Sequence, residues 1–139
     1  MAIMTDYIPI STKGFADIVD ITSEVRTVLA KSGLRNGTTT VFISGSTAGV
    51  TTIEYEPGLL KDLPEAFEKI APMNRQYYHD ATWGDGNGFA HVRAAMLGCS
   101  LTVPFKDSHL LLGTWQQIVV VDFDNRSRRR EVVVQMMGE

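Results

Sequence analysis

Short segments rich in β-branched residues lie towards both ends of the chain, and this arrangement most limits the fold. Residues 38–44 and 113–121 are examples, and their valine, isoleucine and threonine content favours strands. Helical patterns interrupt these segments without the regular strand-helix alternation of a doubly wound sheet. We therefore predict an α+β fold: a single domain over residues 1–139 with a large mixed or antiparallel, sandwich-like sheet and about three helices.

The local patterns predict where these elements begin and end. One helix should be capped by Asp20 and ended by Gly33, and another should start only at Pro64, because proline cannot donate the bond that a helix interior needs. A third should run from an Asn87 cap to Gly98. The expected strands, with the last completing a final hairpin, are residues 3–12, 38–44, 50–55, 100–104, 110–112, 113–121 and 128–136.

A glycine-rich loop with a histidine on each side is the strongest candidate for a functional site. Residues 83–88 hold three glycines in five positions, which predicts a loop. His79 precedes this loop and His91 follows it on the Asn87-capped helix, whose low charge suggests that His91 is enclosed. One interpretation is a core imidazole bonded to a backbone carbonyl. The other is a phosphate or metal site formed by both imidazoles beside a helix N-terminus.

Charge and hydropathy narrow the class of protein. A net charge of −3 argues against a general nucleic-acid binder, which needs surplus positive charge. The N-terminal residues lack the pattern of a signal peptide, and no apolar run approaches the length of a membrane span. We expect a cytoplasmic protein that binds neither nucleic acid nor membrane.

A small hydroxylic loop and an isolated carboxylate are further candidates. Ser46 and Thr47 lie between two predicted strands, where they could bind an oxyanion or simply form a turn. Glu54 is the charged residue of an otherwise uncharged strand. If its face of the strand is buried, Glu54 needs a cation, a metal or a hydrogen-bonding neighbour.

Two arginines and a Trp-Gln pair complete the candidates. Arg128 and Arg130 share one face of the final strand, where two guanidinium groups suit a phosphate or pyrophosphate; a charged guard against edge association is the alternative. Trp115 and Gln116 are expected on opposite faces at a strand start. Trp115 fits either the core or a stacking surface for a flat heterocycle.

Several of these segments together resemble one protein family. The matching segments are Tyr78-His79-Asp80 with Asn87 and Ala90-His91, the Leu112–Gln116 run, Asp124 with Arg128 and Arg130, and a strand motif from Phe42 to Ala48 followed by Glu54. They resemble the YjbQ family, also called secondary thiamine-phosphate synthases. Gly45 stands where that strand motif has a histidine, so a metal would be held without that residue or with another ligand.

The resemblance implies a homotrimer with sites near subunit contacts and a low thiamine-phosphate-forming activity. That reaction joins a pyrimidine-methyl pyrophosphate to a thiazole phosphate. It needs donors for the leaving pyrophosphate and a stacking surface or carboxylate for the electron-poor fragment. Ser46, Thr47, Asn87, Arg128 and Arg130 fit the first role, and Trp115, Gln116 and Glu54 fit the second.

Within this interpretation His79 and His91 bind a divalent metal, Mg²⁺ or Zn²⁺, or protonate the leaving group. Two other functions are consistent with the same residues. One is a non-catalytic trimer that binds a metal or a phosphorylated small molecule, and the other is a metal-dependent phosphoester hydrolase.

Overall fold

The computed structural model of the protein describes residues 1–139 and confirms the α+β class, with eight strands and four helices. The strands are β1 Ala2–Thr12, β2 Asp17–Asp20, β3 Gly37–Ile43, β4 Ala48–Ile53, β5 Ser100–Lys106, β6 His109–Leu110, β7 Gln117–Asp122 and β8 Arg128–Gly138. The helices are α1 Thr22–Ser32, α2 Pro57–Ile70, α3 Tyr78–Trp83 and α4 Gly88–Leu97. No helix combines the length and the apolar composition that crossing a membrane requires.

Two antiparallel sheets form the framework. The larger sheet has the order β1-β8-β3-β5-β6, and the smaller has the order β2-β7-β4. One core cluster joins them, with Val41 and Val134 of the larger sheet packed together with Val50 and Val120 of the smaller. The two sheets therefore pack as a sandwich, with the α1 side chains extending the same core.

The other face of the smaller sheet packs against helices. Val119 and Val121 of β7 cluster with Phe67 of α2 and with Phe89 and other residues of α4. Because both faces of β7 are covered, residues on both of its faces must be apolar. This explains the continuous Ile-Val-Val-Val run in place of an alternating pattern.

The end of the chain does not form the predicted hairpin. β7 and β8 belong to different sheets, since β8 pairs with β1 and β3 while β7 pairs with β2 and β4. β7 also begins at Gln117 rather than at residue 113. Trp115 and Gln116 lie in a turn closed by the Gln116 N–H donating to the Gly113 carbonyl at 3.1 Å, and not on opposite faces of a strand.

Helix α2 starts earlier than predicted, and Pro64 lies inside it. Its beginning is stabilised by the Glu56 carboxylate, which accepts hydrogen bonds from the Gly58 and Leu59 N–H groups, and by Pro57 in the first turn. Phe67 is buried against β7, so packing offsets the roughly 3 kcal/mol that an interior proline costs. The strand β2 and the short helix α3 were also not predicted.

Helix α4 is buried on one side only, although its low charge suggested that it was enclosed. Val92 and Met96 are exposed, whereas Phe89, Ala94 and the charged Arg93 are buried. The Arg93 guanidinium donates to a backbone carbonyl of the α2 C-terminus at 2.9 Å and to a carboxylate of α2 at 2.6 Å. These two acceptors compensate the buried charge of the Arg93 guanidinium, which an amphipathic helix would normally expose to solvent.

Candidate functional site

Two buried carboxylates organise the site: Asp122 is the last residue of β7, and Asp124 lies two residues beyond it. Asp122 accepts hydrogen bonds from Arg130 Nε at 2.6 Å and from the Thr12 hydroxyl at 2.5 Å. Asp124 accepts from Arg128 Nε at 2.7 Å and from the Thr47 hydroxyl at 3.1 Å. The alternation of β8 places Arg128 and Arg130 on one face, as predicted, and the two carboxylates hold them there.

Asp124 connects these arginines to the histidine loop. Asn87 Nδ2 donates to Asp124 Oδ1 at 3.2 Å, so the Asn87 side chain makes no bond to its own helix and the predicted side-chain cap is wrong. Burial alone would raise the pKa of Asp124. Hydrogen bonds from Asn87, Arg128, the Asn125 backbone and Thr47 outweigh it and lower the pKa to about 2.

The two histidines meet across the glycine-rich loop. Their ring centroids are 4.1 Å apart and the ring planes are tilted by 35°. Asp80 Oδ1 accepts from the Gly88 N–H at 2.8 Å, which holds α3 against the start of α4. A side chain at position 88 would place its Cβ 2.5 Å from Tyr77 Cβ, so this close approach requires glycine.

His79 faces two carboxylates without bonding to either. Its buried Nδ1 atom has no hydrogen-bond partner and lies 3.6 Å from Asp80 Oδ1 and 3.6 Å from Asp85 Oδ1. The potential ligand atoms of these three residues all lie within 4.8 Å of one another. One imidazole and two carboxylates are a donor set that suits a divalent cation, so these residues fit a metal.

This group differs from the metal ligands predicted from the sequence. His91 stacks on His79 but is not part of the three-residue group, whereas Asp80 and Asp85 were not assigned as ligands. Asp80 directly follows His79 in α3, and Asp85 lies in the adjoining glycine-rich loop. This closeness along the chain was the signal that could have identified them. They are the other ligands that a site without a histidine at position 45 would need.

His91 is half-buried rather than enclosed. Desolvation lowers the pKa of His91 below its ordinary value of 6.5, and the neighbouring His79 adds to this effect. Asp85, Asp124 and Asp80 act in the opposite direction without overcoming it. His91 is therefore a neutral imidazole near pH 7 and can accept a proton.

A cavity of about 350 Å³ lies beside His91. Gly45 and Ser46, from the loop between β3 and β4, form part of its lining. Thr47 is buried next to them, where its hydroxyl accepts from Arg130 Nη2 at 2.7 Å and donates to Asp124. Ser46 is therefore available to a ligand, while Thr47 holds the two arginine-carboxylate pairs together.

Glu54, Trp115 and Gln116 lie at the other end of the smaller sheet. The β4–β7 register pairs Ala48 with Asp122 near the histidines and Ile53 with Gln117 at the far end. Six residues of extended chain separate Ala48 from Glu54, or about 20 Å. Within one subunit Glu54 is therefore too far from the histidines to act in the same site, which the role assigned to it from the resemblance would require.

The far-end side chains differ in their surroundings. Glu54 is exposed, and the Trp115 side chain is 70% exposed rather than part of the core. Gln116 donates from Nε2 to the Thr52 hydroxyl at 2.9 Å. None of the three contributes to the His79 or His91 surroundings in this chain.

Comparison with known proteins relates this chain to one protein family over nearly its whole length. Residues 6–139 match the family described as UPF0047 protein YjbQ-like. A UPF0047 protein of Methanothermobacter thermautotrophicus is 37% identical over 139 residues, which cover 100% of this chain and 95% of the relative. The UPF0047 protein YugU of Bacillus subtilis is 31% identical over 136 residues, which cover 97% of this chain and 100% of the relative.

A solved structure supports the same relationship. The crystal structure of a protein of unknown function from Sulfolobus solfataricus superposes with a TM-score of 0.94 and 33% sequence identity, covering 99% of both chains. Sequence and fold thus agree over nearly the whole length. The chain belongs to the UPF0047 family of YjbQ-like proteins.

Proposed function

We propose that this chain is a divalent-metal-dependent enzyme that acts on a small phosphorylated molecule at the histidine site. The observation that carries this proposal is the position of His79 Nδ1, which has no hydrogen-bond partner and lies 3.6 Å from each of two carboxylate oxygens. A buried nitrogen without a partner is costly unless something occupies the space that it faces. A cation held by His79, Asp80 and Asp85 would satisfy all three.

The charge balance of the site supports a cation as well. Three carboxylates, those of Asp80, Asp85 and Asp124, lie near the two histidines, and Arg128 offsets only the last of them. The remaining two negative charges match one divalent ion. Without that ion a phosphate would meet net repulsion, so metal binding should strengthen phosphate binding.

Within this class we assign the chain the formation of thiamine phosphate. The bond between the pyrimidine methylene carbon and the pyrophosphate oxygen breaks, and its electron pair leaves with pyrophosphate. The thiazole nitrogen then forms a bond to that carbon. A bound divalent ion would supply charge neutralisation for the leaving group. His91, Ser46 and the free donors of the arginines would orient the phosphates.

Hydrolysis of a phosphoester is the second candidate, and one observation favours it. Desolvation lowers the pKa of His91 and so favours the neutral imidazole. A neutral imidazole can accept a proton from water in hydrolysis, whereas carbon-nitrogen bond formation needs no such base. A non-catalytic binding protein is the remaining alternative. In that case the same residues would hold the metal or phosphorylated molecule without turnover.

Calorimetric titration of the protein with Mg²⁺, Mn²⁺ and Zn²⁺ tests the metal site. We expect one ion per chain, and His79→Ala or Asp85→Ala should weaken binding by at least about tenfold. His109→Ala is the matched control, because His109 is exposed and lies on β6. Equal metal affinity in wild type and both site variants would refute the site.

Pyrophosphate release separates the three functions. If the transfer reaction is correct, the pyrimidine pyrophosphate should release pyrophosphate only when the thiazole phosphate is also present, and thiamine phosphate should accumulate. Phosphate release from simple phosphoesters without the second substrate would favour hydrolysis. No turnover, together with a metal-induced rise in melting temperature, would leave the binding role.

Self-association as a homotrimer is part of this proposal. The outer face of the larger sheet is uncovered and bears exposed apolar side chains, namely those of Ile3, Tyr7, Phe42 and Met137. Such a face is typical of subunit contacts. A neighbouring subunit could also bring its own Glu54 and Trp115 towards the histidines. Light scattering should give three times the chain mass of 15.4 kDa, and a monomer would refute the trimer.

We also propose that the protein acts in the cytoplasm. The thiol of Cys99 is free and exposed, which suits a reducing compartment. Fractionation of cells that produce the protein would test this location.

A further inference from the structure

We infer that Arg130 and the Gly45-Ser46 segment form the phosphate seat of this site, and that the seat accepts monophosphates of a short alkyl group or a single ring. The inference rests on the proposed function for the statement that the phosphate belongs to the substrate. The seat itself consists of a different set of atoms from the metal site.

The hydrogen bonds of Arg130 leave one nitrogen free. A guanidinium has five N–H donors. Arg130 Nε donates to Asp122 Oδ2 at 2.6 Å, and Nη2 donates to Asp122 Oδ1 at 3.0 Å and to the Thr47 hydroxyl at 2.7 Å. Both remaining N–H groups are on Nη1, which has no acceptor in the protein. The side chain is only 8% exposed, so Nη1 is the unpartnered end of an otherwise buried and fixed cation.

Gly45 keeps that nitrogen accessible. Its φ of +124° lies in the region that favours glycine, and a Cβ built on it would lie 2.7 Å from Arg130 Nη1. Any side chain at position 45 would therefore cover the free donors. Gly45 and Ser46 line the 350 Å³ cavity, and Arg130 itself does not. Nη1 therefore lies next to Gly45, at the edge of that cavity.

The rest of the lining limits what can be attached to the phosphate. Apart from Ser46 and His91 it consists of small residues without charge: Gly45, Ala48, Ala94, Ala95, Gly98 and Cys99. The volume is at the lower end of the range for small-molecule sites. A compact, largely apolar body over the alanines matches this lining, with its anionic group at the Gly45 edge, next to Arg130. A nucleotide or a sugar would find few polar partners in the cavity.

Two probes distinguish the seat from the apolar part of the cavity. Inorganic phosphate tests the seat alone, and phenylphosphonate, whose C–P bond resists hydrolysis, tests both. Calorimetry with and without Mg²⁺ should show phenylphosphonate binding at least about fivefold more tightly than phosphate. Equal affinities, or no binding of either probe to the wild type in the presence or absence of Mg²⁺, would overturn the inference.

Three variants locate the binding. Gly45→Ala should weaken both probes by at least about tenfold, because it covers the charged donor. Ala95→Leu, on the exposed face of α4, should weaken phenylphosphonate by about fivefold and leave phosphate unchanged. Ala30→Leu, on the exposed face of α1, is the matched control and should change neither. Unchanged phosphate affinity in folded Gly45→Ala would contradict the phosphate seat. Unchanged phenylphosphonate affinity in Ala95→Leu would contradict binding of the phenyl group in the apolar part of the cavity.

The single cysteine provides a readout that needs no variant. Cys99 is exposed and lines the cavity, so bound phenylphosphonate should slow its alkylation by at least about fivefold. An unaltered rate at saturating phenylphosphonate would contradict occupancy of this cavity. If His79→Ala leaves metal affinity unchanged while these phosphate results hold, the proposed metal site fails and the seat stands. The reverse pattern would reject the seat alone.

Discussion

Replacing Asp124 by asparagine should reduce stability by an amount that depends on pH. Asn keeps the size of the side chain but removes the charge that Arg128 and Asn87 stabilise. The pKa of Asp124 falls from 3.8 to about 2 on folding, and its side chain is 1% exposed. At 1.36 kcal/mol per pH unit, the difference corresponds to about 2 kcal/mol of stability near pH 7.

The sign of the pH dependence follows from the lowered pKa. The ionised carboxylate stabilises the folded state fully well above pH 3.8, and this contribution disappears as the pH falls through about 2. At pH 3 about half of it remains. The destabilisation caused by Asp124→Asn should therefore be about 1 kcal/mol smaller at pH 3 than at pH 7.

Urea unfolding of wild type and variant at both pH values, at one protein concentration, measures this difference. Asp107→Asn is the matched control: Asp107 pairs with Arg35 on the surface, where both side chains are more than 60% exposed. Its effect should be small at both pH values. A destabilisation by Asp124→Asn that is the same at pH 3 and pH 7 would refute the linkage between the Asp124 network and folding.

Other parts of the site and its support give further predictions. In metal-free protein, NMR titration of His91 should give a pKa below 6.5. His79→Ala should raise this pKa, because it exposes the His91 ring to more water and removes the neighbouring positive charge of His79. Arg93→Ala should lower the free energy of unfolding by about 3 kcal/mol, because it leaves buried acceptors without partners; chemical denaturation measures this. Gly88→Ala, whose Cβ would lie 2.5 Å from Tyr77 Cβ, should destabilise by about 2 kcal/mol in the same assay and weaken metal binding in calorimetry.

The position of most strands and the α+β class could be predicted from local patterns, because β-branched content and turn residues act over a few residues. The loop around Gly86 and the shared face of Arg128 and Arg130 were predictable for the same reason. The start of α2 was not. Pro64 argues against a helix locally and obscured the start signal that Glu56 and Pro57 provide. The burial of Phe67 beneath the smaller sheet offsets the cost of Pro64.

The amino-acid sequence by itself determined that two histidines flank a glycine-rich segment with acidic residues, since residue order alone places Asp80 and Asp85 between His79 and His91. Only the tertiary structure decided which groups meet there. Separation of β7 and β8 into different sheets sends the Asp122 end of β7 to the histidines and the Gln117 end about 17 Å away. Strand pairing depends on contacts between distant residues, and no local pattern encodes that partition.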